Sequence, residues 1–260
     1  MATDLASADT VSLDAAVFDT TAIDNAAVAT APGGVPVVEL HGIGKTYRTS
    51  AIAFEALRDV HLRIDTGEYV AIVGPSGSGK STLMNIIGCL DTATVGEYRL
   101  AGESVDEMDD ADLAHARGRR IGFVFQQFNL LASLTAGRNV ELPLAYAGIG
   151  AHERTRRAQA ALERVGLADK VHNRPGELSG GQQQRVAMAR ALVAEPDLIL
   201  ADEPTGNLDS ASTADILDLF DELHATGTTI VLITHEADVA KRAARLVHVH
   251  DGKVTERVIA

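Results

Sequence analysis

The sequence predicts an α/β fold with a mainly parallel sheet, and three observations carry that prediction. Tyr69–Val73, Ile121–Phe125, Asp197–Ala201 and Thr229–Ile233 are short, almost wholly apolar runs. Such runs form strands covered on both faces, as parallel strands are. Helical patterns separate them: Ile216, Leu219, Phe220 and Leu223 share one face of a helix that Asp209 or Ser210 would cap and Gly227 would follow. Third, the Tyr69–Val73 strand runs into a glycine-rich turn, after which Met84 to Leu90 continues a helix. Strands alternating with helices define the class.

The remaining elements follow the same rules. Val37–Leu40 reads as a strand, and Val60, Leu62 and Ile64 alternate with His61 and Arg63 as a half-buried one. Residues 137–168 read as helical, with Pro143 interrupting the first part. Arg245–His250 and Lys253–Val258 form a last pair of strands, leaving no room for a C-terminal regulatory domain. Residues 1–35 differ from all this. They carry five acids (Asp4, Asp9, Asp14, Asp19, Asp24), no Lys or Arg, and end at Pro32-Gly33-Gly34. They read as a flexible acidic tail before a folded region over 36–260.

Composition narrows the function. The chain has 260 residues, 46% hydrophobic and 23% charged, which excludes a wholly disordered protein. A formal charge of −13 speaks against nucleic acid as a partner. A single cysteine, Cys89, excludes a disulfide framework and a multi-cysteine zinc site. No apolar run is long enough to span a bilayer, and the N-terminus lacks the basic start and apolar core of a signal peptide. A cytoplasmic setting is the expectation.

Gly74-Pro75-Ser76-Gly77-Ser78-Gly79-Lys80-Ser81-Thr82 fits the phosphate-loop pattern G-x-x-x-x-G-K-[ST]. Its glycines let backbone N–H groups converge on phosphate oxygens, and the following helix aims its positive dipole end at the same anion. Lys80 would reach the β- and γ-phosphates, and the Ser81 hydroxyl would bind Mg²⁺. Leu198–Ala201 ends in two adjacent acids, Asp202 and Glu203, on what should be a strand neighbouring the loop's. Unpartnered burial would be costly, so a cation or a reacting water is expected there. Asp202 has the role of the Mg²⁺-holding Walker-B acid, and Glu203 is the candidate general base.

Leu178-Ser179-Gly180-Gly181-Gln182 resembles the LSGGQ signature of ATP-binding cassette (ABC) ATPases, and the resemblance covers residues 36–258. It implies a P-loop NTPase (RecA-like) core with an antiparallel β subdomain and an inserted α-helical subdomain at about 127–185. It implies ATP and Mg²⁺ as ligands, ATP hydrolysis as the activity, and Ser179, Gly180 and Gly181 as contacts to the γ-phosphate on an opposite subunit. Tyr47 looks like the aromatic that stacks on adenine, or is a surface tyrosine near a turn. Gln126 is similar to the glutamine that senses Mg²⁺ and the γ-phosphate. Gln127 is the rival, set aside because Gln126 directly follows the apolar strand. His235 resembles the switch histidine. Asp209 matches the interface aspartate of the D-loop, or serves only as the helix cap.

The family pattern implies a head-to-tail homodimer closed by ATP, working on membrane-spanning permease subunits from the inner face of the cell membrane. The strings after Gln126 and around Glu203 resemble the lipoprotein-release and macrolide/peptide-export branch, the LolD and MacB type. Residues 128–131 and 134–140 are the expected docking surface. The alternative is a soluble ABC ATPase such as an iron–sulfur assembly factor. Repair and chromosome types would need a long coiled coil, whereas Lys80 and Ser179 are 99 positions apart with no sustained heptads.

Overall fold

The computed structural model describes residues 36–48 and 53–258; the acidic tail expected over 1–35 lies outside them. Two sheets build the fold. The first is antiparallel, in the order β2-β1-β4-β5, from β1 (Pro36–Arg48), β2 (Ala53–Asp65), β4 (Val95–Leu100) and β5 (Glu103–Ser104). The second has six strands in the order β10-β9-β3-β8-β7-β6. Its members are β3 (Tyr69–Val73), β6 (Ile121–Phe125), β7 (Leu198–Asp202), β8 (Ile230–Ile233), β9 (Arg245–His250) and β10 (Lys253–Val258). All its pairings are parallel except β9 with β10.

The apolar runs are buried on both faces because successive side chains alternate. Tyr69, Ala71 and Val73 point into a core shared with the helical side, while Val70 and Ile72 point into a second core shared with the antiparallel sheet. β7 and β8 divide the same way, with Ile199, Ala201, Ile230 and Leu232 on one face and Leu198, Leu200, Val231 and Ile233 on the other. Each such Val, Leu or Ile contributes about 1.5–3 kcal/mol on burial, so a charge anywhere in these runs would break the sheet.

Helices α1 (Lys80–Ile87), α2 (Asp110–Arg120), α3 (Ala136–Tyr146), α4 (Ala151–Arg164), α5 (Gly180–Leu192), α6 (Ser210–Ala225) and α7 (Ala237–Ala240) complete the molecule. Within the stretch expected to be a helical subdomain, α3 packs on α4 and both pack on α5. The buried Asn139 side chain there accepts from Leu131 N–H and donates to the carbonyls of Leu131, Leu134 and Thr135, fixing the loop before α3.

Several elements differ from the sequence expectation. α1 stops at Ile87 rather than Leu90, because Gly88 caps it and Cys89 turns to φ 52. The 137–168 segment breaks at Ala147–Gly150, where Gly148 takes φ 74, and not at Pro143, which sits inside α3. β1 runs on to Arg48 through several register shifts. Neither β4 nor α2 was legible. Val95 and Gly96 of β4 are exposed, and α2 buries only Leu113 and Ala116 beneath a charged surface. Its start is set instead by an Asp109–Asp112 capping box.

Candidate functional site

The strand register assembles the site. Ile72 pairs with Ile233, Ile233 with Asp202, and Asp202 with Phe125. Four parallel strands therefore end in one row, and residues one or two positions further along each strand, Gly74, His235, Glu203 and Gln126, emerge at one carboxyl edge. That edge is where open α/β sheets bind ligands. β8 lies between β3 and β7, so the acid pair is not on the strand next to the loop as the sequence suggested; the intervening strand supplies His235.

The phosphate loop is formed by close packing. A Cβ on Gly74 would lie 2.1 Å from the Val249 carbonyl oxygen, and one on Gly79 (φ 111) 2.7 Å from that of Ala56. Only glycine fits either position. Pro75, Ser76, Gly77 and Ser81 are exposed, Ser78 is buried, and Gly74, Gly79, Lys80 and Thr82 are half-buried. α1 starts at Lys80 with no side-chain cap and no acid in its first turn, whereas Asp209 caps α6 through the N–H groups of Ala211 and Ser212. An uncapped helix start facing an exposed loop leaves backbone donors for an anion. Lys80 donates from Nζ to the carbonyls of Gly74 at 2.7 Å and Pro75 at 2.8 Å. Burial lowers its pKa, against the opposing pull of Glu203 and Asp202.

Across the row, burial raises the Asp202 carboxyl above the usual aspartate value, Glu203 adds to this, and Lys80 opposes it. An ionised Asp202 thus lacks sufficient compensation from the chain alone, which suits a bound cation. Among the described residues no group of three or more His, Cys, Asp and Glu gathers as a metal site. A cation here would complete its shell with the exposed Ser81 hydroxyl, phosphate oxygens and water. Glu203 takes φ 45, unusual for a non-glycine residue. Its N–H donates to the Ile233 carbonyl at 2.9 Å, and its carboxylate meets His235 Nδ1 at 2.7 Å.

Gln126 is half-buried against Gly206, and its carbonyl accepts from the Asn207 side chain at 3.0 Å; Gln127 is exposed. The signature serine caps α5. Ser179 Oγ accepts from Gln182 N–H at 3.3 Å while Gln182 Oε1 accepts from Ser179 N–H at 3.0 Å. The hydroxyl hydrogen remains available to donate. Gly180 lies near Leu208, and a Cβ on Gly181 would be 2.9 Å from Ser212 Oγ, so the signature packs beside the Asp209 cap. Asp209 is thus the cap of α6, Ser210 its first residue.

The Tyr47 hydroxyl donates to Asp91 at 2.9 Å, while Lys45 donates to the same carboxylate at 2.6 Å. Burial would raise the Asp91 pKa, but the hydrogen bonds from Lys45, Tyr47 and the Thr92 backbone outweigh it and hold it below the usual range. Tyr47 stays 40% exposed, with Lys45 Nζ over its ring at 5.0 Å from the centroid.

Two supporting residues escaped sequence reasoning. Arg190, on α5, donates to the carbonyls of Phe128 at 2.8 Å and Asn129 at 2.5 Å, clamping two consecutive left-handed residues after Gln126 (φ 58 and 49). Gln184, fully buried on α5, donates to the Pro204 carbonyl at 2.7 Å. No local pattern marks either, since both serve backbone atoms distant in sequence. Of the expected docking stretch, Leu131 is half exposed, but Ala136, Gly137 and Val140 are buried and belong to the helical packing instead.

A phosphate loop, an acid pair and a histidine along one parallel-sheet edge define a nucleoside triphosphatase of the P-loop class. The ABC transporter family model matches residues 57–206, and the chain belongs to that family as one of its ATP-hydrolysing cassettes. It is 56% identical over 218 residues to the uncharacterised ABC transporter ATP-binding protein YknY of Bacillus subtilis, covering 84% of this chain and 95% of that one. It is 53% identical over 219 residues to the macrolide export ATP-binding/permease protein MacB of Hyphomonas neptunium, covering 84% of this chain but 34% of MacB. The chain thus spans about a third of that relative's length. Its fold matches the ATP-binding cassette MJ0796, solved as a dimer in a post-hydrolysis state with ADP and Pi, with a TM-score of 0.78 and 44% identity over 86% of this chain and 99% of that one. It also matches cbiO1 of Clostridium perfringens, part of the cbiONQ transporter complex, with a TM-score of 0.75 and 26% identity over 85% and 87%.

Proposed function

We propose that two copies of this chain close head to tail around ATP and drive membrane-spanning permease subunits. The Glu203 carboxylate, at the same sheet edge as the phosphate loop and bonded to His235, is the observation that carries the hydrolytic part of this reading. Lys80, the loop N–H groups and the uncapped start of α1 bind the phosphates, and Tyr47 stacks on adenine. Glu203 takes a proton from the attacking water while His235 holds its carboxylate and faces the γ-phosphate. Ser81, Asp202 and Gln126 would hold Mg²⁺, which when bound supplies charge neutralisation on the phosphate oxygens.

Ser179, Gly180 and Gly181 form a second anion site with no lysine of its own. They complete the site of the opposite subunit, with Asp209 near the interface. ATP bridges both copies, and ADP lacks the phosphoryl group that the signature would hold, so hydrolysis removes the contacts that favour closure. Residues 36–260 form the cassette, with the helical subdomain at about 127–185 as the part that meets the permease. The work is export or lipoprotein/peptide release of the LolD and MacB type, at the inner face of the cell membrane. The MacB, YknY and cbiO1 relatives favour this over a soluble iron–sulfur assembly factor.

Phosphate release measured across a dilution series tests the sandwich: turnover per chain should fall on dilution below the pairing threshold. A rate indifferent to dilution refutes it. Affinity purification from solubilised membranes tests the partner, and recovery with soluble proteins alone supports the alternative.

A further inference from the structure

Gln184 is a polar side chain in a place that favours an apolar one. It is fully buried on α5, among neighbours such as Val186, Ala187 and Met188. Its Nε2 donates to the carbonyl of Pro204 at 2.7 Å, and its Oε1 has no hydrogen-bond partner. A buried acceptor left unpaired is unfavourable. The fold therefore gains little from a glutamine here beyond the one bond it makes.

That bond lands on the residue after Glu203. The Glu203 backbone is left-handed, with φ 45, a conformation that persists in a non-glycine residue only when its surroundings hold it. The surroundings are few. Glu203 N–H donates to Ile233, Gly206 N–H donates to the Glu203 carbonyl at 3.1 Å, and Pro204 has no N–H to offer. Among the described residues Gln184 is the one side chain that bonds the Pro204 carbonyl, and it comes from another element 20 positions earlier in sequence. The same helix is capped by Ser179, about one and a half turns before Gln184.

We propose that Gln184 is a positioning residue that couples the seat of the signature helix to the aim of the Glu203 carboxylate within one subunit. A small shift of α5, when Ser179 engages nucleotide on the opposite copy, moves the Gln184 amide and with it the Glu203–Pro204 turn. Each subunit's catalytic base is thereby adjusted by its own signature contact. This rests on the reading of Glu203 as the base and Ser179 as the contact across the dimer.

The test uses Gln184→Met and Gln184→Leu, which keep similar volume and remove both the bond and the orphaned acceptor. The full chain is compared by steady-state phosphate release, ATP-dependent dimerisation in light scattering, and thermal unfolding. The inference expects kcat to fall about tenfold, roughly the factor a single hydrogen bond supplies, with KM for ATP, dimerisation and Tm held or Tm raised. It also expects no further loss when Gln184→Met is added to Glu203→Gln. Unchanged kcat in both variants overturns the inference, as does a lowered Tm with kcat and KM worsening together, or an additive loss in the double variant. If Glu203→Gln alone turns over at the parent rate, the proposed base fails instead, and the two failures stay distinct.

Discussion

Nδ1 of His235 lies 2.7 Å from the carboxylate of Glu203, a contact between the ends of two adjacent parallel strands. His235 is largely exposed while Glu203 is mostly covered, so the ring sits between the acid and solvent. Glu203→Gln should keep ATP binding and cut phosphate release by about 10²–10⁴, the worth of a positioned base. His235→Ala should cost about 10- to 100-fold, as expected for one hydrogen bond to a charged group. Phosphate-release assays beside nucleotide-binding calorimetry separate the two effects, and a Glu203→Gln variant at parental speed rules out the base.

Lys80 bonds the carbonyls of Gly74 and Pro75, and on the proposed reading it exchanges them for phosphate oxygens when nucleotide arrives. Lys80→Ala should weaken ATP binding by at least about tenfold through lost charge-assisted bonds. It should also lower the Tm of the nucleotide-free chain, because two restraints on the loop vanish. Unchanged ATP affinity in calorimetry contradicts the role.

The raised Asp202 carboxyl carries a pH signature. Folding tightens its hold on a proton, so its favourable contribution is present below the ordinary aspartate value of 3.8 and lost as pH rises through the higher folded value. Near neutral pH the ionised group works against the fold until a cation arrives. Asp202→Asn should therefore raise the nucleotide-free Tm near neutral pH, with the gain vanishing towards acid. It should abolish the extra stabilisation that Mg²⁺ adds to ATP. Thermal unfolding across pH checks both, and a lower Tm for the variant at neutral pH contradicts the first.

Tyr47 and Asp91 make a prediction about affinity rather than rate. Tyr47→Ala should weaken ATP binding about 5- to 100-fold, the range for an aromatic stacked on a base. Tyr47→Phe keeps the ring, loses the Asp91 anchor and should cost much less. Equal losses in fluorescence titrations would mean that the hydroxyl, not the ring, serves the nucleotide.

Arg190 joins α5 to the loop after Gln126 through its two carbonyl bonds, and burial lowers its pKa. Lysine cannot reproduce the two-carbonyl fork. Arg190→Lys should cost about 1–3 kcal/mol in denaturant unfolding, and an unchanged midpoint would show the clamp to be dispensable.

The chemistry was local and therefore legible. Gly74–Thr82, Asp202–Glu203 and Leu178–Gln182 each place their groups within a few residues, so spacing marks the first two and the resemblance to the ABC signature marks the third, and the apolar strands announce the parallel sheet. The β4 strand and α2 were hidden because their exposed residues carry little hydrophobic pattern, and the helix break fell at Gly148 because backbone freedom outweighed Pro143. Tertiary structure alone decided which strands are neighbours, and hence that His235 stands between the phosphate loop and Glu203. It alone placed Lys45 on Asp91, Arg190 on Phe128 and Gln184 on Pro204. Those bonds join side chains to partners dozens of positions away, or to backbone carbonyls that every residue possesses, so no spacing in the chain records them.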